Sequence, residues 1–425
     1  MIKKEKSIEK SSNQENHKNQ SSDNMKQGWE IKKLGDVCYS KSSNVSQNQL
    51  ADEVGEYPIF GASGLIKNVS FYHRDKPYLS IVKDGSGFGR ITKMDAFTSV
   101  IGTLQYILPN DEIDLDYLNY SLMSVDFKKY VQGAAIPHIY FKDYKNEPFL
   151  WMPLPEQQRI VAILDAAGAA IATAKTNAEQ NLKNAKELFE SYLQGVFENG
   201  NWETVKLSEL AKDITDGDHM PPPKSEEGFP FITISNINKQ NRQIDFSDTF
   251  KVPKAYFDKL KENRKPKNGD VLYTVTGSYG IPVLIENDFE FCFQRHIGLI
   301  RPKDNVSSKW LYYWILSPQA FFQANDTATG TAQKTVSLTA LRNFKLPKTS
   351  YKEQQSIVQR LDALSSETKK LEAIYQTKLN DLEELKKSVL QKAFSGQLSE
   401  SGFSGLKDKK DLSGSKKNRV NSKVM

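Results

Sequence analysis

The stretch EQQRIVAILDA at residues 156–166 returns as EQQSIVQRLDA at residues 353–363. The two copies lie 197 residues apart (353 minus 156). The segments that precede them also begin alike, with Gly28-Trp29-Glu30 in the first and Asn201-Trp202-Glu203 in the second. The chain is therefore an internal duplication, an arrangement that suits a protein which reads a two-part object.

Each copy opens a long stretch in which seam residues recur in steps of four and three, the spacing of a coiled coil. The first seam is predicted to consist of Ile160, Leu164, Ala167, Ile171, Ala174, Ala178, Asn181, Ala185, Leu188 and Tyr192. The second is predicted to consist of Ile357, Leu361, Leu364, Thr368, Leu371, Tyr375, Lys378, Leu382, Leu385 and Val389. Small residues in the first seam complement large residues in the second. We predict two helices, residues 153–199 and 348–398, which pair antiparallel within one chain because the chain crosses a globule between them.

The segments before the helices, residues 28–152 and 200–347, alternate short β-rich runs with glycine-containing turns. The predicted fold class is α+β, with two pseudo-repeated mixed α/β domains separated by two long helices that form an intramolecular antiparallel coiled coil. Residues 1–27 and 399–425 are polar and are predicted to be disordered tails.

The net charge of +6 does not by itself indicate a nucleic-acid partner. Residues 1–27 contribute +2 (six Lys, four acids) and residues 399–425 contribute +4 (seven Lys or Arg, three acids), so the body is neutral. Only Cys38 and Cys292 are present, which excludes a disulfide framework. No apolar run approaches the ~20 residues that span a bilayer, and the lysine-rich start lacks an apolar signal core, so a cytoplasmic location is expected.

No catalytic motif is recognisable. The sequence has no Gly-x-x-x-x-Gly-Lys-Ser/Thr loop, no Gly-x-Ser-x-Gly elbow and no histidines at metal-ligand spacing. Asp84-Gly85-Ser86-Gly87-Phe88-Gly89 is similar to a phosphate loop but lacks the strand–helix context, which favours a hairpin turn. We therefore expect a chain that catalyses no reaction and holds neither a metal nor a cofactor.

At Pro153-Leu154-Pro155, which leads into the first Glu-Gln-Gln, the chain resembles the DNA specificity subunits of type I restriction–modification systems. The second helix start is altered, because Leu346-Pro347 stands further from its Glu-Gln-Gln. Gly330-Thr331-Ala332-Gln333-Lys334 is similar to the family's loop before this helix, and Gly133-Ala134-Ala135-Ile136-Pro137-His138 is its diverged first copy. The resemblance covers residues 28–398.

The resemblance implies that residues 28–152 and 200–347 are target-recognition domains, each of which reads one half of a bipartite sequence in double-stranded DNA. It implies that the two helices act as spacers and dock two adenine-methyltransferase subunits, and that endonuclease/translocase subunits complete the restriction enzyme. The chain itself would be a non-catalytic subunit. S-adenosylmethionine, ATP and Mg²⁺ would belong to its partners.

Base-edge readers are expected among polar residues on loops that glycine turns support. Thr276-Gly277-Ser278-Tyr279-Gly280 resembles the family's strand-and-turn element, of which the first copy keeps Gly85-Ser86 and Gly89. In the second domain the predicted DNA-binding residues are Thr276, Ser278, Tyr279, Gln294, Arg295, His296, Gln333 and Lys334. In the first domain they are Lys83, Ser86, Arg90, His138, Tyr140 and Lys142. Each could instead be solvated surface or a turn cap.

Two further features have open alternatives. One basic segment contains seven cations and only two acidic residues, Asp258 and Glu262. It is either a patch that contacts phosphate or a solvated helix face. Its cations are Lys251, Lys254, Lys259, Lys261, Arg264, Lys265 and Lys267. The two Glu-Gln-Gln starts either bind a partner subunit or cap their helices. They consist of Glu156, Gln157 and Gln158, and of Glu353, Gln354 and Gln355.

Two rival functions are considered. A two-headed coiled-coil scaffold for protein or glycan ligands would show no salt-dependent binding to DNA. A nuclease or methyltransferase with built-in recognition would need an Asn/Asp-Pro-Pro-aromatic motif or a paired-carboxylate metal site, and neither is visible in the sequence.

Overall fold

The computed structural model of this protein describes residues 27–133 and 135–395. The chain divides into two compact units. The first unit contains residues 27–176 and 379–395, and the second is Asn177–Lys378. The tails predicted over residues 1–27 and 399–425 fall, apart from Gln27, outside the described residues.

The strands of the first unit form three sheets. They are β1 (Glu30–Lys33), β2 (Cys38–Ser42), β3 (Tyr57–Gly61), β4 (Gly64–Val69), β5 (Tyr78–Val82), β6 (Ile91–Met94), β7 (Ser99–Val100), β8 (Leu104–Pro109) and β9 (Pro148–Trp151). The main sheet has the order β2-β8-β5-β6 and is antiparallel throughout. A second sheet has the order β4-β3-β7, and β1 pairs with β9. Every residue of β5 is buried, so this strand lies at the centre of the unit.

The strands of the second unit repeat this plan. They are β10 (Glu203–Lys206), β11 (Ala211–Asp216), β12 (Phe229–Ile232), β13 (Lys251–Val252), β14 (Val271–Thr274), β15 (Pro282–Leu284), β16 (Cys292–Phe293), β17 (Ile297–Pro302) and β18 (Lys345–Lys348). The main sheet has the order β11-β17-β14-β15, beside β13-β12-β16 and the pair β10-β18. Strand β14 is buried along its whole length, as β5 is in the first unit. The duplication seen in the sequence is therefore a duplication of topology.

Short helices connect and cover the sheets. In the first unit they are Leu34–Val37, Leu115–Met123 and Phe141–Tyr144, with 3-10 turns at Gln47–Leu50 and Phe127–Tyr130. In the second unit they are Leu207–Leu210, Lys254–Lys259, Ser308–Leu316, Pro318–Thr327 and Leu338–Arg342, with 3-10 turns at Ile234–Asn236 and Glu262–Arg264. Asp114 and Ser307 cap the equivalent helices Leu115–Met123 and Ser308–Leu316 with their side-chain oxygens.

Two long helices, Leu154–Glu198 and Tyr351–Phe394, contribute to both units. In the first unit, Ile160 from the start of one helix shares a core with Ala393 from the end of the other. In the second unit, Phe197 from the end of the first helix shares a core with Ile357 from the start of the second. Start therefore meets end in each unit, which confirms the predicted antiparallel pairing within one chain.

The predicted seams are wrong in part. In the second helix the predicted seam residues Leu371 and Leu385 are each 38% exposed, and the seam of the first helix is wrong near its end. Leu188 is 51% exposed and Tyr192 is 38% exposed, whereas Leu193 and Phe197 are buried. A straight α-helix repeats every 3.6 residues, so a seam drawn with a strict 3.5-residue repeat drifts away from the buried face. Leu193 and Phe197 instead pack into the core of the second unit.

Candidate nucleic-acid interface

In the second unit, three loops meet at one edge of the main sheet. They follow β11, precede β17 and follow β14. The Val275 N–H donates to the carbonyl of His296 (2.9 Å), and the Arg295 N–H donates to the carbonyl of Asp218 (3.1 Å). The order of the strands thus brings Gln294, Arg295 and His296 beside the turn that follows β14.

A hairpin at residues 329–335, ahead of the second long helix, completes this edge. The Gly277 N–H donates to the carbonyl of Lys334 (3.0 Å), and the Val336 N–H donates to the carbonyl of Val275 (2.8 Å). All eight residues predicted as readers in this domain therefore lie on these joined segments. We call this region the loop edge of the second unit.

The side chains on this loop edge differ in their exposure to solvent. Arg295, Gln333 and Lys334 are exposed, whereas Ser278, Tyr279, Gln294 and His296 are half-buried. Burial, and then the charge of Arg295, lower the pKa of His296 below its usual range, which keeps this imidazole neutral near pH 7. Thr276 is only 8% exposed, and its hydroxyl accepts a hydrogen bond from that of Thr335 (3.3 Å). Thr276 therefore supports the edge, and its predicted role as a base reader is not supported.

The first unit builds an equivalent loop edge with matching backbone bonds. They run from Lys83 N to Thr103 O (3.1 Å), Gly102 N to Val45 O (2.8 Å), Gly85 N to Pro137 O (2.9 Å) and Ile139 N to Lys83 O (2.9 Å). The glycine-rich stretch is a turn between β5 and β6, in which the Gly89 N–H donates to the carbonyl of Val82 (2.8 Å). Ser86 and Arg90 lie exposed on this turn.

The remaining predicted readers of the first unit form one cluster. The Nδ1 atom of His138 lies 2.8 Å from a carboxylate oxygen of Asp84, which also has the Lys83 ammonium at 3.5 Å. The ring of Tyr140 stacks on that of His138 with centroids 6.3 Å apart, and the Lys142 Nζ lies 5.3 Å from the Tyr140 centroid. Tyr140 is 40% exposed, so its ring is available to a ligand.

The sequence reasoning missed part of both loop edges. Residues 43–45 and 101–103 in the first unit occupy the places that residues 217–219 and 294–296 occupy in the second. Ser43 is buried, but Asn44 is exposed beside it. The duplication itself is the signal that predicts these residues, because it requires a counterpart of Gln294-Arg295-His296 in the first copy.

The basic segment of the second unit is largely neutralised. Within it, Lys254 pairs with Asp258 (2.7 Å), and both Lys265 (2.7 Å) and Lys267 (3.4 Å) pair with Glu262. Its arginine pairs outside the segment, where Arg264 lies 3.3 Å from Asp216. The exposed cations for which no ion pair is found among the described residues are Lys251, Lys259 and Lys261.

The Glu-Gln-Gln starts divide into buried and exposed residues. Gln157 is completely buried; its Oε1 accepts from the Asp114 N–H (2.9 Å) and its Nε2 donates to the carbonyls of Glu112 (3.0 Å) and Met152 (2.8 Å). Burial leaves it no surface for a partner, so the partner-binding prediction is corrected: Gln157 joins the long helix to the helix Leu115–Met123.

The second unit uses the same junction. Gln354 is 2% exposed; its Oε1 accepts from the Ser307 N–H (2.8 Å) and its Nε2 donates to the carbonyl of Thr349 (3.1 Å). Gln354 is therefore also withdrawn from the predicted partner surface. Of the same two motifs, Gln158, Glu353 and Gln355 are exposed, and Glu156 is half-buried in an ion pair with Arg159 (2.8 Å).

No group of three or more His, Cys, Asp or Glu side chains in residues 27–133 and 135–395 is arranged to hold a metal ion. Among the helices of these residues, none is long and apolar enough to cross a membrane. The candidate site in each unit is a surface of polar, charged and aromatic side chains.

Known proteins show similarity along most of the chain. The family profile described as "Type I restriction modification DNA specificity domain" matches residues 26–184 and 199–384. The MjaVIII specificity subunit of Methanocaldococcus jannaschii is 24% identical over 91% of this chain and 96% of its own length. The EcoBI specificity subunit of Escherichia coli is 27% identical over 42% of this chain and 37% of its own length.

Solved structures share the fold. A chain from a study of complex assembly and conformational transition of the type I R-M system matches with a TM-score of 0.67 and 18% identity, over 88% of this chain and 99% of that chain. The HsdS subunit from Thermoanaerobacter tengcongensis matches with a TM-score of 0.55 and 18% identity, over 88% of this chain and 98% of that chain.

Proposed function

The chain belongs to the type I restriction modification DNA specificity domain family, and we propose that each of its two units reads one half of a bipartite DNA target. Members of this family recognise DNA and are not the catalytic subunits. The proposed reading surface in each unit is the loop edge. Two linked readers bind far more tightly than either alone, because each raises the effective concentration of the other, by about 10²–10⁴ where the geometry permits.

The observation that carries this proposal is that one loop edge is built twice with different side chains. The strand order and the backbone bonds agree between the units. The exposed groups do not, since Arg295 and Gln333 stand on the second edge and Arg90 and Tyr140 on the first. A constant backbone with variable side chains suits two readers of different base sequences, because arginine pairs with guanine edges and glutamine with adenine edges.

The long helices would set the separation of the two half-sites and would dock two adenine-methyltransferase subunits. Their stiffness makes the gap part of the recognised code, with half-sites about one helical turn (~34 Å) apart when read from one face of the duplex. Glu156, Gln158, Glu353 and Gln355 remain the partner-facing candidates at the helix starts. Endonuclease/translocase subunits would join this complex, and S-adenosylmethionine, ATP and Mg²⁺ would bind to the partners.

Selection of DNA from a random library by the purified full chain tests the proposal. The expected result is a sequence of two fixed halves separated by a constant gap. In the Arg295→Ala variant, one position in one half should lose its base preference, at a cost of about 1–3 kcal/mol, while the other half stays unchanged. Arg360→Ala, at an exposed position on the second long helix, is the matched control.

Three outcomes would count against parts of this proposal. If Arg295→Ala weakens binding to every sequence equally, Arg295 contacts only phosphate. If the gap varies freely, the helices do not set the spacing. If DNA binding is absent or insensitive to salt, the chain is a scaffold for other ligands and the proposal fails.

A further inference from the structure

The hairpins that complete the two loop edges close with the same pair of backbone hydrogen bonds. In the first unit, Gln132 and His138 exchange two backbone hydrogen bonds of 2.8 Å. In the second, Thr329 and Thr335 exchange bonds of 3.0 and 2.8 Å, again 197 residues further on (329 minus 132). Both hairpins therefore close the same turn against the same neighbouring loop.

Each hairpin contains a glycine in the left-handed region. Gly133 has φ +88° and Gly330 has φ +110°. A Cβ on Gly133 would lie 2.5 Å from the carbonyl oxygen of Ile136, and a Cβ on Gly330 would lie 2.4 Å from that of Gln333. Only glycine fits such a close approach. Ile136 and Gln333 thus occupy the same place in equivalent turns.

The chemistry at this place differs between the units. Ile136 is 57% exposed, with Ala135 and Pro137 as its neighbours in the chain. Gln333 is also exposed, but lies between Ala332 and the cationic Lys334. An isolated exposed apolar residue needs no explanation on most surfaces. Here, however, the equivalent residue of the second unit is Gln333, so the apolar Ile136 gives the first hairpin a different chemistry of recognition.

The major groove offers one kind of apolar group to such a hairpin. The edges of the bases present hydrogen-bond donors and acceptors, and only thymine adds a C5-methyl group. Isoleucine has no polar atom in its side chain, and its branched Cβ restricts χ1. Ile136 therefore has nothing to offer a donor or an acceptor, but it can exclude water from a methyl group.

We propose that Ile136 reads a thymine in the half-site of the first unit by packing against its C5-methyl group, whereas Gln333 uses hydrogen bonds at the equivalent place in the other half-site. The proposal rests on the function proposed above, in which the loop edges face DNA. It assigns apolar recognition to one half-site and polar recognition to the other at this position of the turn.

Single replacements of thymine by deoxyuridine in the selected target test this assignment. Deoxyuridine keeps the pairing and the hydrogen-bonding edge and removes only the methyl group. One thymine in the first unit's half-site should be sensitive, with binding of the full chain weakened about fourfold, the factor equivalent to about 0.8 kcal/mol for one buried carbon. The half-site of each unit is known beforehand from the position at which Arg295→Ala relaxes the preference.

Variants of the protein separate the contact from other causes. Ile136→Ala should weaken binding to the thymine target and should no longer distinguish thymine from deoxyuridine at the sensitive position. Gln333→Ala is the matched control at the equivalent place, and it should retain the fourfold effect. Because Ile136 is exposed, its variant should unfold at the same temperature as the parent chain.

The outcomes distinguish this inference from the proposed function. Specific binding that tolerates deoxyuridine throughout the first half-site, or a first half-site without thymine, would overturn the assignment to Ile136 and leave DNA reading intact. An undiminished deoxyuridine effect in Ile136→Ala would assign the methyl contact to another residue and would also overturn it. A chain without any sequence preference would instead refute the proposed function.

Discussion

Replacement of Gln157 by methionine tests whether the helix start is a junction inside the first unit or a contact for a partner. The substitution keeps the length and most of the volume of the side chain but removes its amide. In the parent chain this amide accepts a hydrogen bond from the Asp114 N–H and donates to the carbonyls of Glu112 and Met152, at distances of 2.8 to 3.0 Å. Gln157 is completely buried, so water does not readily replace these bonds.

The expected loss follows from the groups left without partners. A buried donor or acceptor that loses its partner costs about 1–3 kcal/mol, so about 3 kcal/mol is expected for three groups of which some relax. For a unit of about 150–250 residues, this loss should lower the melting temperature by roughly 6–12 °C. Differential scanning calorimetry of the full chain should show this shift.

Gln158→Met is the matched control, because Gln158 is the next residue and is exposed. It should change the stability by no more than about 0.5 kcal/mol. Equal melting temperatures for the two variants would refute the junction. A Gln157→Met chain that melts normally but fails to assemble with a methyltransferase subunit would restore the partner-binding reading.

Two further predictions concern charge and cysteine chemistry. Replacing Lys251, Lys259 and Lys261 together by glutamine should reduce the slope of log affinity against log salt by roughly three, at about 0.9 per phosphate contact; an unchanged slope would remove them from the DNA footprint. Burial raises the pKa of Cys38 and of Cys292 to about 12, so neither thiol should react with a disulfide reagent at pH 8 until urea unfolds the chain. Rapid reaction of the folded chain would contradict this burial.

The pairing of the helices could be predicted from the sequence, but neither seam could be predicted along its whole length. Steps of four and three identified Ile160 and Ile357 correctly as buried residues. The same rule, extended over ten positions, placed Leu188 and Tyr192 on the buried face of the first helix, but both side chains are exposed. Leu193 is buried instead, because it packs into the core of the second unit. The spacing of residues within one helix contains no information about such tertiary contacts.

The turns of the loop edges could be predicted from their glycines. Which polar side chains are buried could not be predicted from the sequence. Gly85 and Gly277 identified the turns that carry the proposed readers in both units. The sequence could not show that Gln157 and Thr276 are buried, because polar residues favour the surface in general and only tertiary contacts reveal an exception. Asn44 was missed because strand order, not sequence proximity, places it on the edge.

The core of the first unit includes the far end of the chain, which constrains the order of events on the ribosome. Ala393 is completely buried in this core, and the ring of Phe394 lies 5.3 Å from that of Tyr117 by centroid. The globule that is synthesised first therefore lacks part of its interior until the second long helix has been translated to its end. A premature stop codon shortly before Ala393 would remove both Ala393 and the Phe394 ring from this core.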